Sequence, residues 1–308
     1  MYQKLFHLKL TFLLISVILI FTVSCSSDRK KNNKLKLEDS IELVEIDEKL
    51  ITEIKTAKQI FYSLPSPLET AMIIKKAGAT FNPGILNPVE NVSRYVTNKS
   101  MALNLGIYST DLSYASLFDQ TQFAINYMTT SQKLVDGLGI TDAITNETIK
   151  KLEDNINHRD VIMDIISEAF MNSSSFLKEN DRSAISSMVL IGGWIEGLYI
   201  ATRLVDRTGM ANNGLIERII DQKLSLMNVV QLLEENKEDE DIQSILVLIN
   251  DLKLVYDKIK ITSGPITTEK IEGSGVTKIK STTESTFDET MFNELTNKVE
   301  AIRNNFIL

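Results

Sequence analysis

The stretch VLIGGWIEGLYIATRLV, residues 189–205, decides how the rest of the chain is read. It is an apolar run holding Gly192, Gly193, Gly197, the chain's single tryptophan (Trp194) and one carboxylate, Glu196. Three readings compete: a membrane span, a buried catalytic acid, or a helix packed against another at unusually close range. With successive residues 100° apart, Gly193, Gly197 and Ala201 form a strip of small side chains. Leu190, Trp194, Leu198 and Val205 flank the strip on one side. Glu196 and Arg203 share nearly one direction on the other, with Tyr199 and Gly192 further round. Each glycine inside a helix costs about 1 kcal/mol relative to alanine, and close approach of a neighbouring helix offsets that cost. Glu196 and Arg203 interrupt the apolar surface that a membrane dimer of the G-x-x-x-G kind requires. The stretch therefore predicts a tight helix crossing in a soluble core. Its polar edge (Glu196, Tyr199 and Arg203) is a candidate surface for a ligand or partner.

Apolar residues recur at three- and four-residue spacing on both sides of that helix. Residues 37–64 keep Ile41, Val44, Leu50, Ile54, Ile60 and Phe61 for a core, with acids and lysines between them. Pro65 and Pro67 break that helix and open another that ends near Gly78. Residues 81–92 carry two Asn-Pro pairs and read as a loop or short helical turn. Residues 99–139 predict one or two long helices ending at Gly137 or Gly139. Further helices follow within 141–155, over 158–172, 210–236, 240–261 and 287–308, with 173–181 as a connection. Residues 262–289 are rich in Thr, Ser, Gly and Lys and predict a long loop or a weak hairpin through IEGSGVTKI. The fold class is all-α: about nine helices in antiparallel pairs, with a long polar loop before the last helix. No strict repeat is present.

The first 24 residues have the layout of an export signal. Lys4 and Lys9 precede an apolar run from Leu10 to Val23, which is shorter than the ~20 residues of a spanning helix. Small Ser24 then precedes Cys25, the only cysteine. TVSC resembles the bacterial lipobox, in which the cysteine is acylated, for example with palmitate, and becomes the new N-terminus. It departs from that pattern at Thr22, where leucine is usual. The expected organisation is a signal peptide (1–24), a lipidated tether (25–37) and a single helical domain (38–308), with 262–286 as the loop or weak hairpin. Serine after Cys25 suits transfer to the outer membrane, with the periplasmic face favoured. The basic run SSDRKKNNKLK (26–36) reads as a solvated tether reaching up to ~40 Å from the membrane.

Composition narrows the possible chemistry. A single, lipidated thiol leaves no disulfide, no zinc–thiolate site and no cysteine nucleophile. His158 is the one histidine after the signal, which excludes multi-histidine metal sites. The formal charge of −8 falls to −10 once Lys4 and Lys9 are removed, an acidic balance that argues against nucleic acid as a partner. No cofactor is implied. Asp160, Asp164 and Glu168 stack on one face of a helix whose opposite face holds Val161, Ile162, Ile165, Ile166 and Ala169. That stripe reads as a solvated acidic surface rather than a metal site. Tyr108 and Asp111, three apart, face one direction and can bond to each other or to a ligand. Glu196 with Asp111 is the most plausible acid and base pair.

The segments FYSLPSPLETAMIIKKAGA (61–79), ALNLGIYSTDLSYASLFDQ (102–120) and GGWIEGLYIAT (192–202) resemble those of uncharacterised helical lipoproteins of Bacteroidota. The resemblance covers nearly the whole mature chain. It implies an exported, helical, outer-membrane-associated protein without an assigned activity, and it supplies no catalytic residue. The leading expectation is a lipid-anchored envelope protein whose helical body binds a protein partner or small ligand. Two alternatives stay open: an envelope hydrolase using Glu196 and Asp111, and a helix-lined small-molecule carrier.

Overall fold

The computed structural model describes residues 67–76, 78–205, 214–263, 267–270, 277–280 and 283–308, all within the unit Glu48–Leu308. The signal peptide (1–24), Cys25, the tether (25–37) and the opening helix (37–64) lie outside the described residues. Nine α-helices are described: α1 (Pro67–Lys76), α2 (Asn98–Leu117), α3 (Thr121–Leu138), α4 (Asn146–Asp154), α5 (Arg159–Glu179), α6 (Ser183–Leu204), α7 (Gly214–Glu234), α8 (Glu240–Asp257) and α9 (Glu289–Ile307). The fold is all-α. The Asn-Pro segment becomes two 3₁₀ turns, Pro83–Ile85 and Val89–Arg94.

Local chemistry explains where the helices begin and end. Thr97 and Ser100 form a reciprocal capping box at the start of α2, satisfying N–H groups that no helical partner reaches. Asp239 and Asp288 cap α8 and α9 by accepting from Ile242 N and Met291 N. The long 99–139 segment is two helices, separated where Asp119 takes a left-handed φ of 57°, and α3 ends on Gly139 at φ 66°. Residues 173–179, expected as a connection, instead continue α5. The serines there do not break the helix. Ser173 donates to the Ala169 carbonyl at 2.7 Å, and Ser174 meets Ser186 of α6 at 2.7 Å.

Helix α6 is the centre of the packing, and every residue from Ser186 to Thr202 is buried. Its contacts run to α2, α5, α7, α9 and α1, with α2 the most extensive neighbour. The α2–α6 crossing is close because glycine sits on both sides. A Cβ on Gly106 would lie 2.0 Å from the Val189 carbonyl oxygen, and one on Gly192 would lie 2.0 Å from that of Leu103. The expected strip of Gly193, Gly197 and Ala201 is therefore corrected. Gly192 and Gly193 meet α2, whereas Gly197 and Ala201 border a small cavity toward Ile219 and Gln222 of α7. Helix α6 has the length and composition to cross a membrane, but other helices cover most of it. Trp194 donates to Gln222 Oε1 at 2.9 Å, a polar exit for its indole N–H.

The Thr- and Ser-rich segment before α9 forms short antiparallel ladders. Strand β1 (Ile261–Ser263) pairs with β4 (Thr283–Ser285), and β2 (Thr267–Lys270) pairs with β3 (Thr277–Lys280). The inner ladder aligns Thr267 with Lys280 and Lys270 with Thr277, and residues 271–276 of the expected hairpin lie outside the described residues.

Candidate functional site: a buried charged cluster closed by the last helix

The polar edge of α6 is occupied by α9. Glu196, with no exposed surface, accepts two hydrogen bonds from Arg303: Nε to Oε2 at 2.8 Å and Nη2 to Oε1 at 3.0 Å. About two turns further along α6, Arg203 pairs with Glu300 of α9. The Tyr199 ring lies beside both cations, with the Arg303 guanidinium carbon 4.4 Å from its centroid and that of Arg203 at 5.2 Å. Each helix thus presents an acid and a base to the other in opposite order. The surface expected to receive a ligand or partner is filled by the chain's own C-terminal segment.

Asp111 of α2 joins this cluster. It is fully buried close enough to Glu196 to feel its charge, and its Oδ2 accepts from the Asn87 backbone N–H at 3.2 Å. Its Oδ1 has no hydrogen-bond partner among the described residues. Asn87, also fully buried, organises the surroundings. Its amide donates to Tyr95 Oη at 3.0 Å and to Asn104 Oδ1 at 3.2 Å, and its carbonyl accepts from Tyr127 at 3.1 Å. Tyr108 does not bond to Asp111 as its spacing suggested. It donates to the Pro88 carbonyl at 2.9 Å, because the 81–95 segment folds over that end of α2 and presents its carbonyls to the ring hydroxyls. Tyr114 does likewise with Thr80 at 3.1 Å.

The same cluster holds the end of α9. Asn104 donates to the Phe306 carbonyl at 2.8 Å, and Arg303 Nη2 also donates to the Ile85 carbonyl at 3.3 Å. Carbonyls in the last turn of a helix have no partner within it, so Asn104 supplies from α2 what α9 lacks. Burial pushes the Asp111 carboxyl well above the ordinary carboxylate range, and the neighbouring Glu196 charge adds to the shift. Burial likewise raises the Tyr108 and Tyr127 hydroxyls, reinforced at Tyr108 by Tyr95 and at Tyr127 by Asp111, so both stay neutral. At Arg303 burial opposes the charge, but Glu196 outweighs it and holds the guanidinium firmly protonated.

The two acids proposed for catalysis are therefore brought together, but inside a sealed core. None of the three described cavities is lined by Asp111, Glu196 or Arg303. The cavity between α2, α3, α4, α5 and α6 is apolar and measures about 50 Å³, small beside the ~300 Å³ or more of a typical small-molecule pocket. An open groove of about 270 Å³ lies between α1 and α5, floored by Met72, Leu117 and Met163 and rimmed by Lys75, Lys76, Arg159, Asp160 and Asp164. Asp160, Asp164 and Glu168 are solvent-exposed, and no group of three metal-binding side chains occurs among the described residues. Val161, read as part of that helix's core face, is 44% exposed.

Arg303, Asn87 and Asn104 were not singled out by the sequence. Arg303 carried a signal, since it adjoins Ile302 in the stripe of Leu295, Val299 and Phe306 that buries α9. A cation in a core stripe requires a buried acid somewhere else in the chain. Comparison with protein-family models, with curated proteins and with solved structures finds no match.

Proposed function

We propose that this chain is a lipid-anchored protein of the cell envelope, held at the outer membrane through Cys25, whose helical body is a binding or scaffold module. The anchor rests on the TVSC motif behind an apolar leader, and on the family resemblance to helical lipoproteins of Bacteroidota. The observation that carries the non-enzymatic reading is the double bond from Arg303 to Glu196. The one acid set in the apolar α6 is neutralised, desolvated and covered by α9. A general acid needs a path to substrate, and Glu196 has none, since it is wholly buried with both oxygens held by Arg303. Support for a binding role comes from α7 and α8, which leave Leu224, Met227, Val247 and Leu254 at 62–70% exposure on adjoining helices.

Replacing Cys25 with alanine tests the anchor. The variant is expected to leave the membrane fraction of disrupted cells, and a variant that sediments with membranes as the wild type does would overturn the assignment. A second reading, a carboxylate hydrolase, draws on the meeting of Asp111 and Glu196, since hydrolysis by acid and base needs two such groups. It requires α9 to leave the cluster before any substrate enters. Purified protein lacking α9 would then cleave envelope polysaccharide that the intact protein leaves untouched.

A further inference from the structure

The buried cluster contains two carboxylates, Asp111 and Glu196, and one guanidinium. Among the described residues, every other group that faces it is uncharged or turned elsewhere. Tyr108 belongs to α2, Tyr127 to α3 and Tyr199 to α6, while Tyr95 closes the second 3₁₀ turn and Asn87 and Asn104 are amides. Arg94 and Glu90 act on the outer tyrosines, Tyr95 and Tyr127 respectively, and Arg203 is paired with Glu300 along the rim. With both acids ionised the sealed site would hold a net charge of −1, at a desolvation cost of several kcal/mol per ion in a protein interior. One oxygen of Asp111 also lacks any donor among the described residues, although the residue is wholly buried.

We propose that the folded protein binds one proton in this cluster, carried by Asp111 and donated to the Glu196 carboxylate, and that docking of α9 is coupled to its uptake. The proton makes the cluster neutral and gives Asp111 a hydrogen bond to Glu196, while Arg303 keeps both of its own bonds. When α9 lifts away, Arg303 leaves, water enters, and Asp111 ionises with loss of the proton. The direction is fixed by linkage. A carboxyl whose folded pKa lies above its free value stabilises the closed state fully below about pH 4, and that contribution is lost as pH rises through the folded pKa. Alkali therefore loosens α9 and acid tightens it. This inference is independent of any partner or anchor.

Hydrogen exchange of the α9 amides in the full chain tests the coupling from about pH 5 to about pH 9, after correction for intrinsic exchange. Wild-type protection is expected to fall with pH at up to about tenfold per unit, the limit for one proton. Asp111→Asn donates to Glu196 through its amide without a titrating proton, so its α9 protection is expected to be flat. Equal slopes in the two proteins, or a flat wild type, would overturn the proposal. Infrared spectroscopy of the wild type alone gives a second reading, which does not depend on the variant folding. A carboxylic-acid C=O band at neutral pH that disappears on unfolding is expected, and its absence from the folded protein would contradict the bound proton.

Discussion

Arg303 binds both carboxylate oxygens of Glu196, 107 residues away in the chain, and thereby joins the last helix to the most buried one. A bidentate pair of this kind fixes the rotation of both helices about their axes as well as their separation. Hydrophobic contacts of Leu295, Val299 and Phe306 alone would tolerate small slips of α9 along its groove. The charged pair tolerates none, since an unpaired ion would be left in a dry site.

The glycine crossing between α2 and α6 makes a graded prediction. Gly106→Ala and Gly192→Ala place a methyl group 2.0 Å from backbone oxygen, which no side-chain rotation relieves. Each is expected to destabilise the protein by about 3 kcal/mol, the upper range for overpacking, or to prevent folding. Gly193→Ala meets its nearest atoms at 3.3 Å and is expected to be much milder. Thermal melts of the three variants check the order.

Asn87 is the hub of the segment over α2, and Asn87→Ala would strip partners from Tyr95, Asn104 and Asn91 at once. Each buried polar group left unpaired costs about 1–3 kcal/mol. Trypsin cleavage after Arg94 is expected to accelerate in this variant at a temperature where the wild type resists. Tyr108→Phe, which frees only the Pro88 carbonyl, is expected to cost about 1 kcal/mol and to leave cleavage nearly unchanged.

The exposed apolar residues of α7 and α8 separate binding from folding. Leu224→Lys with Val247→Lys, at 69% and 70% exposure, is expected to change stability by within about 0.5 kcal/mol per site. The wild type is expected to form cross-linked adducts in intact cells, and this variant is expected to lose them. Unchanged adducts would remove this face from the binding reading, and a large fall in melting temperature would show that it belongs to the core.

Much of the architecture was legible in the sequence because helical periodicity is a local signal. The heavily buried α6 and the return of a final helix follow from spacing, whereas spacing left open whether 99–139 is one helix or two. The continuation of α5 through Ser173 and Ser174 was not legible. Serines suggest a connection until the carbonyl and the partner serine they bond to are known. The glycine seam was half read: glycine in α6 announced a close neighbour, but only the register of two helices shows that Gly106 answers Gly192. The candidate site divided in the same way. Glu196, Tyr199, Arg203 and Asp111 were found from their setting on apolar helices, and they do gather at one place. That the gathering is closed by Arg303 depends on a contact across 107 residues, which no local pattern encodes.

The most direct test of a Glu196 that serves the fold rather than a reaction is a double-mutant cycle with Arg303, read by urea unfolding. Glu196→Gln and Arg303→Met alone each remove one half of a buried pair and are expected to cost about 3–5 kcal/mol. Replacing both removes the stranded charge, so the double variant is expected to be more stable than Arg303→Met alone. Losses that simply add, or singles that cost under about 1 kcal/mol as exposed pairs do, would contradict a structural pair at this site.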